Sequence, residues 1–108
     1  MRTAFAMLAL CLCAANTFAQ GAARGQQAYV ESKCSVCHSI GEEGNKKGAA
    51  LDGVAAKLTA AEIRGWITNA PEMAAKANIT RKPPMKAYTD FSKEKIDDLV
   101  AYLSTLKK

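Results

Sequence analysis

The hydrophobic positions near the end of the chain recur at helical spacing. They form one apolar stripe, made up of Ile96, Leu99, Val100, Leu103 and Leu106. Ser92 is a suitable N-cap for this segment, and Glu94 suits the partial positive charge of a first helical turn. The pattern therefore predicts an amphipathic helix that closes the chain.

A second helix is indicated in the middle of the chain. Thr59 and Glu62 have the spacing of a capping box, in which each side chain bonds the other residue's backbone N–H. Behind this box, Ile63, Trp66 and Ile67 share one side of the predicted helix. An Asn-Ala-Pro sequence then ends it, because proline removes a backbone donor.

The segments between these helices carry weaker signals. Residues 22–33 are rich in Ala and Gln and predict a first helix that leads directly into Cys34. Residues 41–53 contain four glycines and are typical of a loop, and residues 72–77 favour a short helix. Two adjacent prolines within residues 81–90 require an extended or turning backbone. No convincing strand, repeat or linker is found, so we predict a single all-α domain of three to four helices.

The first 19 residues have the features of a signal peptide. Arg2 supplies a positive start, residues 4–15 are almost unbroken apolar sequence, and Thr17-Phe18-Ala19 ends in a small-x-small cleavage pattern. A retained membrane anchor is the alternative, but the run is shorter than the roughly 20 apolar residues that a span requires. We therefore expect cleavage after Ala19 and a soluble periplasmic domain over residues 20–108, with no stable membrane insertion.

Removal of this leader changes the cysteine count and the charge. Cys11 and Cys13 leave with it, so Cys34 and Cys37 remain, in a compartment that favours oxidation. The formal net charge falls from +5 to +4 with the loss of one arginine. The remaining basic residues form no dense block with interleaved aromatics, so nucleic acid is not an expected partner, whereas an anionic protein surface is.

The sequence Cys34-Ser35-Val36-Cys37-His38 concentrates the candidate chemistry. A thioredoxin-type redox pair lies beside a strand in a βαβ unit, which is not predicted here. A structural zinc site needs a fourth ligand, and a local disulfide leaves His38 unused. Cys-x-x-Cys-His is, in contrast, the attachment signature of c-type haem. If residues 33–38 continue the first helix, both thiols and the imidazole lie on one face, as attachment to one porphyrin and its iron requires.

The chain after the leader resembles a class I c-type cytochrome, a small monohaem electron carrier, over essentially all of its length. The resemblance rests on the attachment motif, a Gly-x-x-Leu-x-Gly-Val stretch, a methionine in a proline-rich loop, and matching helix positions at Gly25, Tyr29, Leu99 and Tyr102. It implies the small cytochrome c fold around one covalently attached haem c with its iron. It also implies that the first and last helices cross at Gly25, with Tyr29 or Val30 against Leu99 and Tyr102.

A second axial ligand would accompany His38, and two methionines remain after cleavage. Met73 lies in the predicted short helix, where an apolar methionine usually packs in the core. Met85 follows Pro83-Pro84, which restrict the loop backbone and so lower the entropy lost when a sulfur is fixed at iron. The family places its ligand in this loop, shortly before an aromatic residue, here Tyr88. The resemblance therefore implies Met85 as the ligand, with Met73 or a five-coordinate iron as the alternatives.

Two further residues are implied as haem contacts. The family fixes its histidine through a backbone carbonyl, usually of a proline that follows a glycine. Here Ala49 follows Gly48, so the carbonyl is retained while the rigidity of proline is lost. Trp66 either packs as core beside the haem or donates its indole N–H to a haem propionate.

The lysines offer a candidate docking rim. Those that flank the predicted haem contacts are Lys33, Lys46, Lys47, Lys82 and Lys86. The alternative is that these lysines are ordinary solvated surface residues without a docking role. We expect a non-enzymatic protein that shuttles single electrons between redox proteins via a His/Met-ligated haem. The redox partners are expected to have anionic docking surfaces.

Two other functions compete with this hypothesis. The first is an electron-transfer subunit bound tightly to a periplasmic oxidoreductase or terminal oxidase. The second is a haem enzyme or gas sensor, which requires an open iron and a distal acid–base group. The sequence contains one histidine, so it supplies no distal histidine for that role.

Overall fold

The computed structural model describes residues 4–108, with side chains from residue 18 onward. Five α-helices occur in this part: α1 (Ala4–Glu31), α2 (Val54–Lys57), α3 (Ala60–Thr68), α4 (Ala70–Ala77) and α5 (Lys93–Leu103). A 3₁₀ turn (Cys34–Val36) and two short antiparallel strands, β1 (Ser39–Ile40) and β2 (Glu43–Gly44), lie between α1 and α2. The all-α prediction is confirmed, although the helices number five rather than three to four.

Residues 1–3 and the side chains up to residue 17 lie outside the described part of the chain, and the signal peptide over residues 1–19 stays a prediction. Among the described residues, no helix combines the length and the apolar character that crossing a bilayer requires.

Helices α1 and α5 cross at the centre of the molecule. A Cβ built on Gly25 would lie 1.9 Å from the backbone oxygen of Asp98 and 2.6 Å from Cβ of Tyr102. Only glycine permits this approach, as the sequence predicts. The Tyr29 ring meets the Tyr102 ring edge to face at a centroid distance of 5.8 Å, whereas Val30 is 64% exposed. Of the two residues predicted to pack against α5, Tyr29 is therefore the one that does.

The apolar stripe of α5 supplies much of the small core. The buried hydrophobic residues of this core cluster are Ala28, Tyr29, Ile63, Ile67, Leu99, Val100 and Leu103. Ser92 caps α5 by accepting a hydrogen bond from the backbone N–H of Lys95, as predicted. The stripe is thus directed against α1 and α3, and its outer member Ile96 is half-buried. Leu106, predicted as the last member of the stripe, lies beyond the end of α5 at Leu103 and is also half-buried.

Helix α3 begins with the predicted capping box, and both of its hydrogen bonds are present between Thr59 and Glu62. Helix α4 follows after one intervening residue and begins at Ala70, two residues earlier than predicted. The early start follows from the proline at the next position, because proline fits the first turn of a helix as well as it ends the preceding one.

Two local predictions were wrong, and one helix was not anticipated. Helix α1 begins at Ala4, well before the predicted start at residue 22. Helix α1 ends at Glu31 and does not run into the cysteine motif, because Lys33 takes a left-handed conformation with φ 61° and turns the chain. The strands β1 and β2 were not predicted, and neither was α2 within the stretch after the glycine-rich loop. Elements of two to four residues are too short to show a hydrophobic period.

Candidate functional site

The cysteine motif forms one compact turn of its own. The backbone N–H groups of Cys37 and His38 both donate to the carbonyl of Cys34, at 3.2 and 2.9 Å. Residues three and four apart share one side of such a turn, so the two thiols and the imidazole are presented together without a continuous helix. This turn stands where an extension of α1 was predicted, and it likewise brings the two cysteines and the histidine to one side of the chain.

Both cysteines of this turn carry free thiols and are half-buried. Cys34 packs against the hydrophobic core. Burial raises the pKa of the Cys34 thiol above its usual value, since a thiolate is poorly solvated there. This direction is opposite to the lowered pKa that is typical of a redox-active cysteine.

The histidine of the motif is oriented by a backbone carbonyl. Nδ1 of His38 lies 2.7 Å from the carbonyl oxygen of Ala49. A carbonyl can only accept, so Nδ1 carries the proton and donates it. The lone pair of Nε2 is then left for a metal, and the hydrogen bond increases its basicity. This is the contact that the resemblance implies for Ala49.

The proline-rich segment between α4 and α5, residues 78–92 and hereafter the methionine segment, contains neither helix nor strand and bends at Lys82 and Pro83, in keeping with the predicted extended or turning backbone. It is anchored to α3. The backbone N–H of Tyr88 donates to the carbonyl of Ile67 at 2.9 Å, and the Tyr88 ring stacks on Phe91 at 4.6 Å. Met85 lies three residues before this anchor and is half-buried. Tyr88 and Phe91 pack against the core cluster, so the segment reaches the core three residues after Met85.

The second methionine is already packed between two helices. The sulfur of Met73 lies 3.0 Å from the position that a Cβ on Gly65 would take. Met73 on α4 thus fills the space left by a glycine on α3, in agreement with a core role. Trp66, also on α3, is half-buried.

The five lysines of the predicted docking rim are all exposed: Lys33, Lys46, Lys47, Lys82 and Lys86. Nζ of Lys86 lies 5.1 Å from the centroid of the Tyr88 ring, within the range of a cation–π contact. In the sequence, the lysines of this rim therefore lie beside the cysteine turn and within the methionine segment.

Sequence reasoning missed the contacts that join these segments. Gly44 and Gly48, two of the four glycines in the loop over residues 41–53, approach His38 closely. Arg81 Nη1 donates to the carbonyl of Lys47 at 3.5 Å. The density of glycines was the available signal for the first contact. No signal marked the second, because a bond from a side chain to a backbone carbonyl leaves no pattern in sequence.

The described residues fit a large apolar prosthetic group. Among them, Leu99 is the largest fully buried side chain, while many apolar side chains remain half-buried around the core. The hydroxyl groups of Tyr29 and Ser32 are buried without a hydrogen-bond partner, and burial raises the pKa of Tyr29 to about 12. The available donors are two free thiols, an imidazole with Nε2 free and a thioether, which together suit a covalently attached haem.

A metal ion alone fits less well. No group of three or more His, Cys, Asp or Glu side chains that could hold one occurs in the described part of the chain. Because a structural zinc site needs four such ligands, the zinc alternative has no support there.

Comparison with known proteins gives the same assignment. The sequence profile described as cytochrome c matches residues 22–107. Over 92 residues the chain is 30% identical to cytochrome c oxidase subunit 2 of Alkalihalophilus pseudofirmus, covering 78% of this chain and 25% of that protein. The chain therefore spans about a quarter of that relative's length. Its profile match over most of its length means that this chain belongs to the cytochrome c family, whose members transfer electrons through covalently bound haem c.

Proposed function

We propose that this protein is a monohaem electron carrier. Cys34 and Cys37 would form the thioether links, and His38 and Met85 would be the axial ligands. The observation that carries this proposal is the hydrogen bond from His38 Nδ1 to the carbonyl of Ala49, which leaves Nε2 available within the cysteine turn. When bound, the haem iron accepts and releases one electron.

Met85 is proposed as the second ligand because it lies in a segment that is anchored by Tyr88 and restricted by two prolines. The thioether of Met73, in contrast, already packs against Gly65 on α3. A methionine opposite a histidine raises the reduction potential and occupies the site where an exogenous ligand would bind. This arrangement favours outer-sphere electron transfer over ligand activation, in keeping with a carrier.

The proposed location is the periplasm, and the proposed partners are redox proteins with anionic docking surfaces. The support is the predicted leader together with the exposed lysines around the ligand-bearing segments. Docking through such lysines would be transient and weakened by salt, because exposed charges are screened within about 8–10 Å at ordinary ionic strength. Trp66 is proposed to lie beside the haem, where its indole N–H would reach a propionate.

The ligand assignment is tested by comparing Met85→Ala with Met73→Ala in the oxidised holoprotein. We expect the near-infrared band from sulfur to ferric iron to disappear only in Met85→Ala, together with a fall in midpoint potential. Met73→Ala is the matched control, because it removes the same thioether from the α3–α4 contact. Survival of the band in Met85→Ala with its loss in Met73→Ala would reverse the assignment.

A second candidate function is an electron-transfer subunit held permanently by an oxidase. The similarity to a domain-sized part of an oxidase subunit favours it. Size-exclusion chromatography of the protein from its native cells separates the two. A carrier elutes at the size of one small domain at moderate salt, whereas a subunit elutes with an oxidase and its haems.

A further inference from the structure

The loop that follows the cysteine turn passes unusually close to the histidine ring. A Cβ built on Gly48 would lie 3.1 Å from both Cε1 and Nδ1 of His38, and 3.1 Å from the carbonyl oxygen of Cys37. These distances are shorter than ordinary carbon contacts of about 3.5–4.0 Å. Gly48 does not have the positive φ that marks Gly41, Gly44 and Gly53. A Cβ at Gly48 would therefore crowd the ring and push its neighbours by a few tenths of an ångström, whereas the backbone conformation itself does not demand glycine.

This loop is fixed to the motif by three hydrogen bonds in succession. The backbone N–H of Gly48 donates to Cys37 at 2.6 Å, His38 Nδ1 donates to Ala49 at 2.7 Å, and the N–H of Leu51 donates to Ser39 at 2.8 Å. Any group added at Gly48 would have to stretch these bonds or turn the ring.

The main chain of His38 is also restrained, through its carbonyl group, by Gly44 and Asn45. A Cβ built on Gly44 would lie 2.2 Å from the carbonyl oxygen of His38, and the N–H of Asn45 donates to the same oxygen at 3.1 Å. The β1–β2 hairpin therefore prevents the His38 backbone from retreating. The freedom that remains is rotation of the imidazole and a change in length of its bond to Ala49.

We propose that Gly48 is a positioning residue that sets the rotation of the His38 imidazole and the strength of its hydrogen bond to Ala49. The proposal rests on His38 being an axial ligand, as proposed above. A strong bond from Nδ1–H makes Nε2 a better donor, which stabilises ferric over ferrous iron and lowers the potential. A side chain at position 48 weakens this bond and turns the ring.

The test compares Gly48→Ala with Gly41→Asn in the holoprotein. Gly41 belongs to the same loop, and a Cβ there would meet nothing within 4 Å. Asparagine tolerates the left-handed backbone with φ 60° at that position, so the control adds a side chain without crowding the ring. The readouts are the midpoint potential and the pattern of hyperfine-shifted haem-methyl proton resonances, which reports ligand orientation.

For Gly48→Ala we expect a higher potential and a redistributed methyl pattern, with the sulfur-to-iron band retained. Gly41→Asn should match the parent in both readouts. A Gly48→Ala protein with the parent's potential and methyl pattern overturns the proposal. The proposal is also overturned if Gly41→Asn changes the potential and the methyl pattern as much as Gly48→Ala does. The effect would then come from any substitution in the loop and not from crowding of the ring.

If Gly48→Ala fails to retain haem, Ala49→Gly replaces it, because this variant adds no atoms and keeps the carbonyl. Greater backbone freedom should lengthen the bond to His38 on average, and so raise the potential in the same direction. An unchanged potential overturns the proposal. Failure of the proposed function is distinguishable, since the parent protein itself would then lack the haemochrome or the sulfur-to-iron band.

Discussion

Replacement of Gly25 by alanine tests the helix crossing on which the fold depends. The new Cβ would lie 1.9 Å from the backbone oxygen of Asp98, where about 3.5 Å is the normal separation. The obstacle is main chain within α5, so it cannot move aside as a flexible side chain would. Helices α1 and α5 must therefore separate by about 1.5 Å or tilt apart.

The expected loss of stability follows from three contributions. Overpacking against backbone costs about 3 kcal/mol, at the upper end of the usual range. Separation of Tyr29 from Tyr102 removes an edge-to-face contact that contributes about 1 kcal/mol. The better helix propensity of alanine returns about 1 kcal/mol. We therefore expect Gly25→Ala to lower the free energy of unfolding by about 3 kcal/mol.

The assay is urea unfolding of the holoprotein, followed by circular dichroism and by the fluorescence of Trp66, the single tryptophan. Gly21→Ala is the matched control, since a Cβ there would lie 3.6 Å from Oδ1 of Asp98, at ordinary contact distance. It should change the free energy of unfolding by at most about 1 kcal/mol, towards stability. If Gly25→Ala stays within about 0.5 kcal/mol of the parent, the close crossing does not exist in solution.

Two further predictions concern the helix caps and one surface carboxylate. Thr59→Ala and Ser92→Ala should each lower the free energy of unfolding by about 1 kcal/mol in the same urea assay, because each leaves a helix N–H without its acceptor; no loss in either variant would contradict the cap assignment. Hydrogen bonds from Arg64 and then Lys93 lower the pKa of Asp97, so its contribution to stability is present above its unfolded pKa of about 3.9 and is lost as pH falls through the lower folded value. Asp97→Asn should flatten the acid limb of the stability curve at low salt, and an unchanged acid limb would show that the pairs add nothing.

The parts of the fold that sequence predicted are those that repeat a pattern over several turns. The stripe of α5 and the capping box of α3 are of this kind, and both lie where they were predicted. The end of α1 was missed because the left-handed turn at Lys33 depends on where the motif must face, and lysine itself shows no preference for that conformation. The β1–β2 hairpin was missed because strands of two residues have no alternation to detect.

The same division applies to the candidate site. A five-residue motif identified both cysteines and the histidine, because haem attachment requires these side chains at this spacing. The resemblance supplied Ala49, whose contribution is a carbonyl that any residue possesses. Gly48 could not be assigned, since a glycine selected for close approach and a glycine in a flexible loop look alike in sequence.

The two segments that carry the proposed ligands are held differently from the helices that support them. Helices α1 and α5 meet through buried side chains and the ion pair between Arg24 and Asp98 at 3.0 Å. The cysteine turn is held instead by several hydrogen bonds to the loop over residues 41–53. The methionine segment is held by the backbone bond from Tyr88 to Ile67 and by a bond of 3.5 Å from Arg81 to Lys47 in that loop. Regions with few buried contacts open at lower free energy than the core. The methionine segment should therefore open before the helices unfold, whereas His38, enclosed by glycines on two sides, should stay in place until the loop itself is lost.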